Sequence, residues 1–275
     1  MTALIGPVAA PALHVMTFNV RRRMDGMTWR RADRWGARRP LLRALLRTER
    51  PTLLGAQEVL PDQARAVLAA LGPGYRMIGH GRDRLGRGEG TPIFYDGNRL
   101  VVGEWEQMAL SEHPRARGSR SWGNPLPRIA VAATFRERSG GREFFMVNTH
   151  LDPFSPRSRV RSADALRSLV AAQNLPAIVT GDMNAAPDSP ALRSFLDGGT
   201  LVDAWSVAAH HATPEWGTNP RYRPPRRRSP RIDWVLTTPG ILVTDAAVNA
   251  EPVDGGWPSD HLPVQVVLRL PGTVS

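Results

Sequence analysis

The segment Ile178-Val179-Thr180-Gly181-Asp182-Met183-Asn184 carries the strongest chemical signal in the chain. Its apolar run, 176–179, reads as a buried strand. Asp182 and Asn184 follow at a spacing that turns both side chains to one side of the strand's end. A carboxylate beside a carboxamide at such a point can orient a water molecule and donate a hydrogen bond to a developing oxyanion. An Asx-rich turn that merely ends a strand would use the same residues. Other strand ends have to decide between the two.

Three more such ends exist: Val147-Asn148-Thr149-His150-Leu151-Asp152, Arg231-Ile232-Asp233-Trp234 and Pro258-Ser259-Asp260-His261. Each sets His or Asp against a β-type apolar run, at 143–147, 232–236 and 262–270. Near the N-terminus the strand pattern 14–20 contains Asn19, and the pattern 52–56 runs into Gln57-Glu58. One buried histidine is usually a satisfied core residue. Two histidines, several acids and two asparagines at the ends of apolar strands are not, because unpaired buried charge is costly. So many acids call for a cation or a ring of partners.

The chain has no cysteine, and neither histidine has a second at helical or short-loop spacing, which argues against an ordinary zinc site. Oxygen ligands from Asn19, Glu58 and Asp260 suit a hard cation, Mg²⁺ first and Mn²⁺ as a substitute. Such ions keep open positions for water and a phosphate oxygen, so the chemistry favoured is attack of water on a phosphate ester.

At this point the chain resembles the endonuclease/exonuclease/phosphatase superfamily of magnesium-dependent phosphoesterases. Six blocks occur in that superfamily's order: Thr17-Phe18-Asn19-Val20, Gln57-Glu58, Asn148-Thr149-His150, Gly181-Asp182-Met183-Asn184, Arg231-Ile232-Asp233 and Ser259-Asp260-His261. The resemblance implies that Glu58 is the main metal carboxylate, supported by Asn19 and Asp260. It implies that Asp182 deprotonates the attacking water and that Asn184 holds a phosphoryl oxygen. His150 and His261 would flank the scissile phosphate as imidazolium groups, with Asp233 orienting His261 and Glu89 pairing with His150. The displacement would be in line, with one metal and no covalent intermediate. The surrounding text is most similar to a bacterial branch of unassigned substrate, and Gln57-Glu58-Val59 lacks the Thr-Lys that follows Glu in abasic-site endonucleases.

These residues need strands to position them. Leu41-Leu42-x-x-Leu45-Leu46 is amphipathic, and Pro61 and Pro156 each open a helical pattern, 62–71 and 157–172. The segments 101–102 and 129–135 look like antiparallel strands. Pattern alone gives an α/β or α+β class. The resemblance implies a four-layer sandwich, two mixed β-sheets packed face to face with helices outside. We expect a domain over residues 13–271 preceded by an N-terminal tail, 1–12, which is apolar but lacks the basic start of a secretion signal. No apolar run reaches ~18 residues. A cytoplasmic monomer is the expectation, with secretion as the alternative.

All 36 basic residues are arginine; against 25 acids they give +11. That excess favours an anionic partner. Eight arginines lie between Arg21 and Arg39, interleaved with Trp29 and Trp35, and six between Arg221 and Arg231. Arginine among aromatics suits phosphate contact and base stacking, and solvated loops of an arginine-rich protein would read alike. Arg128, Trp122 and Arg228 are candidate substrate contacts. The first reading is a nuclease or other phosphodiesterase, favoured by the positive charge. The alternative is a hydrolase of small phosphorylated metabolites or phospholipid head groups, and a non-catalytic binding module comes last because none of the main site positions is missing.

Overall fold

A computed structural model describes residues 2–272. In chain order its strands are β1 Leu13–Asn19, β2 Leu53–Gln57, β3 Tyr75–Ile78, β4 Ile93–Asp96, β5 Leu100–Ala109, β6 Ile129–Glu137, β7 Glu143–His150, β8 Ala177–Asp182, β9 Val202–Asp203, β10 His210–His211, β11 Asp233–Thr237, β12 Leu242–Val248 and β13 Val264–Arg269. The α-helices are α1 Trp35–Glu49, α2 Pro61–Leu71, α3 Pro156–Ala171, α4 Pro190–Leu196 and α5 Ala204–Val207.

Two mixed sheets result. One runs β10-β12-β13-β1-β2-β4-β3, with β1 and β2 parallel; the other runs β5-β6-β7-β8-β11-β9, with β7 and β8 parallel. The period-2 pattern of the strands decides what lies between them. On β1, Leu13 and Val15 face the other sheet, while Met16 and Phe18 face α1 and α2. On β7, Phe144 and Met146 join that inter-sheet core, and Phe145 and Val147 turn to α3 and α4. The order helices, sheet, sheet, helices is the four-layer sandwich expected. None of the described helices is long and apolar enough to cross a membrane.

Beneath the strand ends that concern us, the inter-sheet layer turns polar. Asn148 Oδ1 accepts from Gln57 Nε2 at 2.8 Å and from the Thr180 hydroxyl at 3.0 Å, and Asn148 Nδ2 donates to the Ala56, Thr91 and Pro92 carbonyls. This network ties β2 to β7 and β8. It is also why residue 55 is glycine: a Cβ there would lie 2.2 Å from Thr180 Oγ1 and 2.6 Å from Asn148 Oδ1.

The expected N-terminal tail is instead built into the domain. The Leu4, Ile5 and Gly6 amides all donate to the buried Glu49 carboxylate, and Arg99 donates to the Val8 and Ala12 carbonyls. A buried carboxylate needs donors, and this segment supplies them.

Candidate active site

Register explains most of the site. On three neighbouring strands, His150 pairs with Asp182 and Asp182 with Asp233, so the three residues stand in a row at one end of the second sheet. On the first sheet Asn19 pairs with Gln57, which brings Glu58 to the same end. Glu58 has a left-handed backbone (φ 59) that breaks β2 and turns its side chain toward the row. Asp260 and His261 arrive on the turn before β13, held by the Leu262 amide on Thr218 O and by the Ser259 hydroxyl on Asn19 O.

His261 lies between two carboxylates: Nδ1 is 2.9 Å from Asp233 Oδ2 and Nε2 is 3.7 Å from Asp182 Oδ2. Burial alone would depress its pKa, but Asp233 and Asp182 hold it well above the ordinary value, so the ring is an imidazolium. Asn219 Nδ2 lies 3.0 Å from Nε2, a contact that suits a ring unprotonated at that nitrogen; a doubly protonated ring requires the carboxamide turned to present its oxygen. Asp182 accepts from Asn19 Nδ2 at 3.0 Å and from the Asn184 amide at 3.0 Å. Burial, then the neighbouring Asp233, push its pKa above the usual carboxylate range, which suits a base.

The second imidazole differs from expectation. His150 Nε2 is 3.4 Å from Asp182, yet burial, aided by the Arg128 and His261 charges, brings its pKa down to about 4. The two imidazoles are therefore driven in opposite directions, His261 toward its charged form and His150 toward its neutral one. Glu89 is not the partner of His150: its oxygens are paired with Arg22 and Arg82, each at 3.0 Å. Both arginines outbid an uncharged ring for the carboxylate.

Glu58 and Asp260 form the other half. Asn19 Nδ2 donates to Glu58 Oε1 at 3.1 Å and the Arg22 amide to Oε2 at 3.0 Å. Burial would raise Glu58, but His150, these donors and Arg21 outweigh it and bring the carboxyl to about 2. One cation already sits between the two acids: the Arg21 guanidinium lies 3.8 Å from Glu58 Oε2 and 3.6 Å from Asp260 Oδ2. An all-oxygen pair that draws a cation from both sides fits a hard divalent ion. Asn19 fits as the amide that orients Glu58 and Asp182, since its Nδ2 serves both. A second group, Asp182, Asp233 and His261, also brings ligand atoms within 4.8 Å of one another. There the imidazolium already supplies the positive charge, and a metal would have to displace its proton.

Glu58, His150, Asp182, Asn184, Asp260 and His261 line one pocket of about 520 Å³, with Asp33, Arg21, Arg22, Arg30, Arg82, Arg128, Arg221, Tyr222 and Phe154 around it. Of the candidate substrate contacts, Arg128 lies in the wall, its Nε bound to Asp152 at 3.1 Å. Trp122 does not line the pocket; it packs against the core under α3. Arg228 is exposed on the 221–231 loop away from the pocket, which Arg221 and Tyr222 line instead. Two consecutive left-handed residues, Arg221 and Tyr222, turn that loop inward.

Sequence reasoning missed Asn219, Tyr222 and the special status of two arginines. Arg38, counted with the basic cluster, is fully buried and donates to the carbonyls of Val20, Arg22, Asp33 and Pro258. It clamps the segments carrying Arg21 and Asp260. Arg231 is likewise buried, forked onto Asp203 and Glu215 and stacked 3.8 Å over Trp234, just before Asp233.

The sequence profile of the Endonuclease/Exonuclease/phosphatase family matches residues 16–261. Among solved structures, an endonuclease/exonuclease/phosphatase family protein of Bacteroides thetaiotaomicron is 30% identical, with a TM-score of 0.85 over 94% of this chain and 95% of that one. A mannosyl-6-phosphatase of the same organism is 30% identical, with a TM-score of 0.84 over 93% of this chain and 99% of that one. Protein angel of Drosophila melanogaster is 29% identical over 174 residues, 60% of this chain and 47% of that protein, so the match spans about half of that relative.

Proposed function

Because the chain belongs to the endonuclease/exonuclease/phosphatase family, whose members hydrolyse phosphoester bonds, we propose that it is a divalent-metal-dependent phosphoesterase acting on a small, polar phosphorylated metabolite, in the first place a sugar phosphate. The observation that carries this is the common pocket. Glu58, His150, Asp182, Asp260 and His261 line a single cavity whose volume, about 520 Å³, suits a small ligand. The Bacteroides relative matched over nearly its whole length is a mannosyl-6-phosphatase, which supports the same substrate class.

Glu58 and Asp260 would hold the ion, magnesium or manganese, with Asn19 setting the Glu58 orientation. When bound, such an ion neutralises charge building on phosphate oxygens. Asp182 accepts the proton of the attacking water; its raised pKa and its two amide donors suit it to that task. The His261 imidazolium, kept charged by Asp233, draws in a non-bridging oxygen. His150, neutral in the free protein, can donate one hydrogen bond to the phosphate. Asn184, whose side-chain nitrogen is engaged by Leu151 O at 3.0 Å, contributes mainly by fixing Asp182 through its backbone.

A polynucleotide substrate is the second reading, favoured by the +11 charge and by Trp29, 83% exposed with Arg30 stacked on it beside the pocket. It is weakened by how many arginines are already engaged: Arg38 and Arg231 are buried, and Arg22 and Arg82 share the single Glu89 carboxylate. A substrate panel separates the two. Hexose phosphates, a bis-aryl phosphodiester and DNA and RNA oligonucleotides would be assayed with Mg²⁺, Mn²⁺ or chelator. Metal-dependent turnover of hexose phosphates at least tenfold above the polymers is expected; salt-sensitive cleavage of oligonucleotides alone would reverse the assignment.

A further inference from the structure

Arg21 occupies the point to which the carboxylates of the site converge. Besides Glu58 and Asp260, its guanidinium reaches both oxygens of Asp33, at 3.2 and 3.4 Å. Asp33 is buried and is held in turn by the Tyr222 hydroxyl, 2.8 Å from Oδ1. The backbone of Arg21 is fixed from both sides. Its amide donates to Asn19 Oδ1 at 2.9 Å, its carbonyl accepts from Gln63 Nε2 at 2.9 Å, and its φ of 55 is left-handed. The stem is thus anchored while the head is shared among three acids, Glu58, Asp260 and Asp33, all of which line the pocket.

We propose that Arg21 is a resident counter-cation that competes with the divalent ion for Glu58 and Asp260, with Asp33 and Tyr222 forming the seat to which it withdraws when the ion binds. The inference rests on Glu58 and Asp260 being the metal carboxylates. Without an ion, two carboxylates facing each other would repel, and Arg21 removes that repulsion. With an ion, two cations cannot share the space, and Asp33 keeps the arginine charge compensated nearby. The chain thereby sets its metal affinity below what its acids alone would give, and keeps the metal-free site folded.

The test is Mn²⁺ binding by calorimetry to the full chain stripped of metal, together with melting of each variant in chelator and in Mn²⁺. Arg21→Gln should bind Mn²⁺ roughly tenfold more tightly, since a competing charge is gone. It should melt lower than wild type in chelator and gain more from Mn²⁺. Arg21→Lys should stay within a few fold of wild type. Asp33→Asn should bind more weakly, because Arg21 then has only Glu58 and Asp260 to lean on, and Arg21→Gln combined with Asp33→Asn should regain the tight binding. If Asp33→Asn does not fold, the Gln and Lys variants decide alone. Unchanged or weaker binding in Arg21→Gln, while Glu58→Gln abolishes binding, overturns the counter-cation and leaves the metal site standing. A raised KM with unchanged Mn²⁺ affinity would likewise overturn it, making Arg21 a substrate contact. Full Mn²⁺ binding by Glu58→Gln removes the metal site itself and the inference with it.

Discussion

The two ends of β1 carry the same kinds of residue in opposite conditions. At its start, buried His14 sits between Gly6 O and Gln265, each at 2.8 Å, beside a Glu49 carboxylate that takes three backbone amides and Asn249 Nδ2. Burial lowers the pKa of His14, against the opposing pull of Glu49. At the far end, His261 is wedged between acids that favour its charged form, and Asp233 Oδ1 is buried with no hydrogen-bond partner among the described residues. A carboxylate saturated with amides is inert scaffolding. One pressed against another carboxylate and an imidazolium retains capacity to take a proton. Residue type is the same at both ends; what differs is how completely each group is satisfied.

Breaking the contrast at its sharpest point, Asp182→Asn should lower kcat by a hundredfold or more, on the order of 10²–10⁴ for loss of a general base. Glu49→Gln, equally buried, should leave kcat within about twofold and act on stability alone, by about 2 kcal/mol, since its amide nitrogen would face backbone donors. Steady-state kinetics and urea unfolding of the two variants measure both effects. A comparable fall in kcat for Glu49→Gln would erase the distinction between the ends.

The loops of the active end are held by Arg38, so Arg38→Ala should cost about 2–3 kcal/mol of stability by stranding buried carbonyls. Arg228→Ala, exposed and away from the pocket, should cost nothing measurable. Gly55→Ala would press a methyl into Thr180 and Asn148 and is expected to cost about 1–3 kcal/mol. Chemical denaturation reads all three, and a stable Gly55→Ala would mean that the polar layer yields.

The smallest effect lies in pH. His14 has a lowered pKa, so the unfolded chain protonates first; its stabilising share is present above pH 6.5 and is lost as pH falls below that value. For His261 the sign is opposite: its raised pKa gives stability that is full below pH 6.5 and is lost as pH rises through the folded value. Urea midpoints from pH 5 to 8 in chelator should therefore flatten on the acid side in His14→Gln and on the alkaline side in His261→Gln. The same slope in both variants would contradict the assigned charges.

Much of this was legible in the sequence. The apolar runs gave the strands, and the polar residue at the end of each gave Asn19, Glu58, His150, Asp182, Asp233, Asp260 and His261, all of which lie at one end of the sandwich. Strand period and strand-end position are local properties, so they survive in one dimension. What failed depended on the path of loops. Glu89 went to two arginines rather than to His150, and Trp122 went to the core. Arg221 entered the pocket where Arg228 did not, and residues before Leu13 turned back to satisfy Glu49. Arg38 and Arg22 look alike in sequence because only tertiary packing decides which guanidinium is buried. Asn219 gave no signal beyond a loop-like Gly-Thr-Asn-Pro.

In the proposed division of labour, carboxylates at the end of the first sheet would hold the ion and Asp182 on the second sheet would handle the proton. Mn²⁺ isotherms on Glu58→Gln and Asp182→Asn test it most directly. Glu58→Gln is expected to lose affinity by at least tenfold, while Asp182→Asn should bind within a few fold of wild type despite its lost turnover. If instead Asp182→Asn abolishes binding and Glu58→Gln retains it, the ion belongs with Asp182, Asp233 and His261, and the division is wrong.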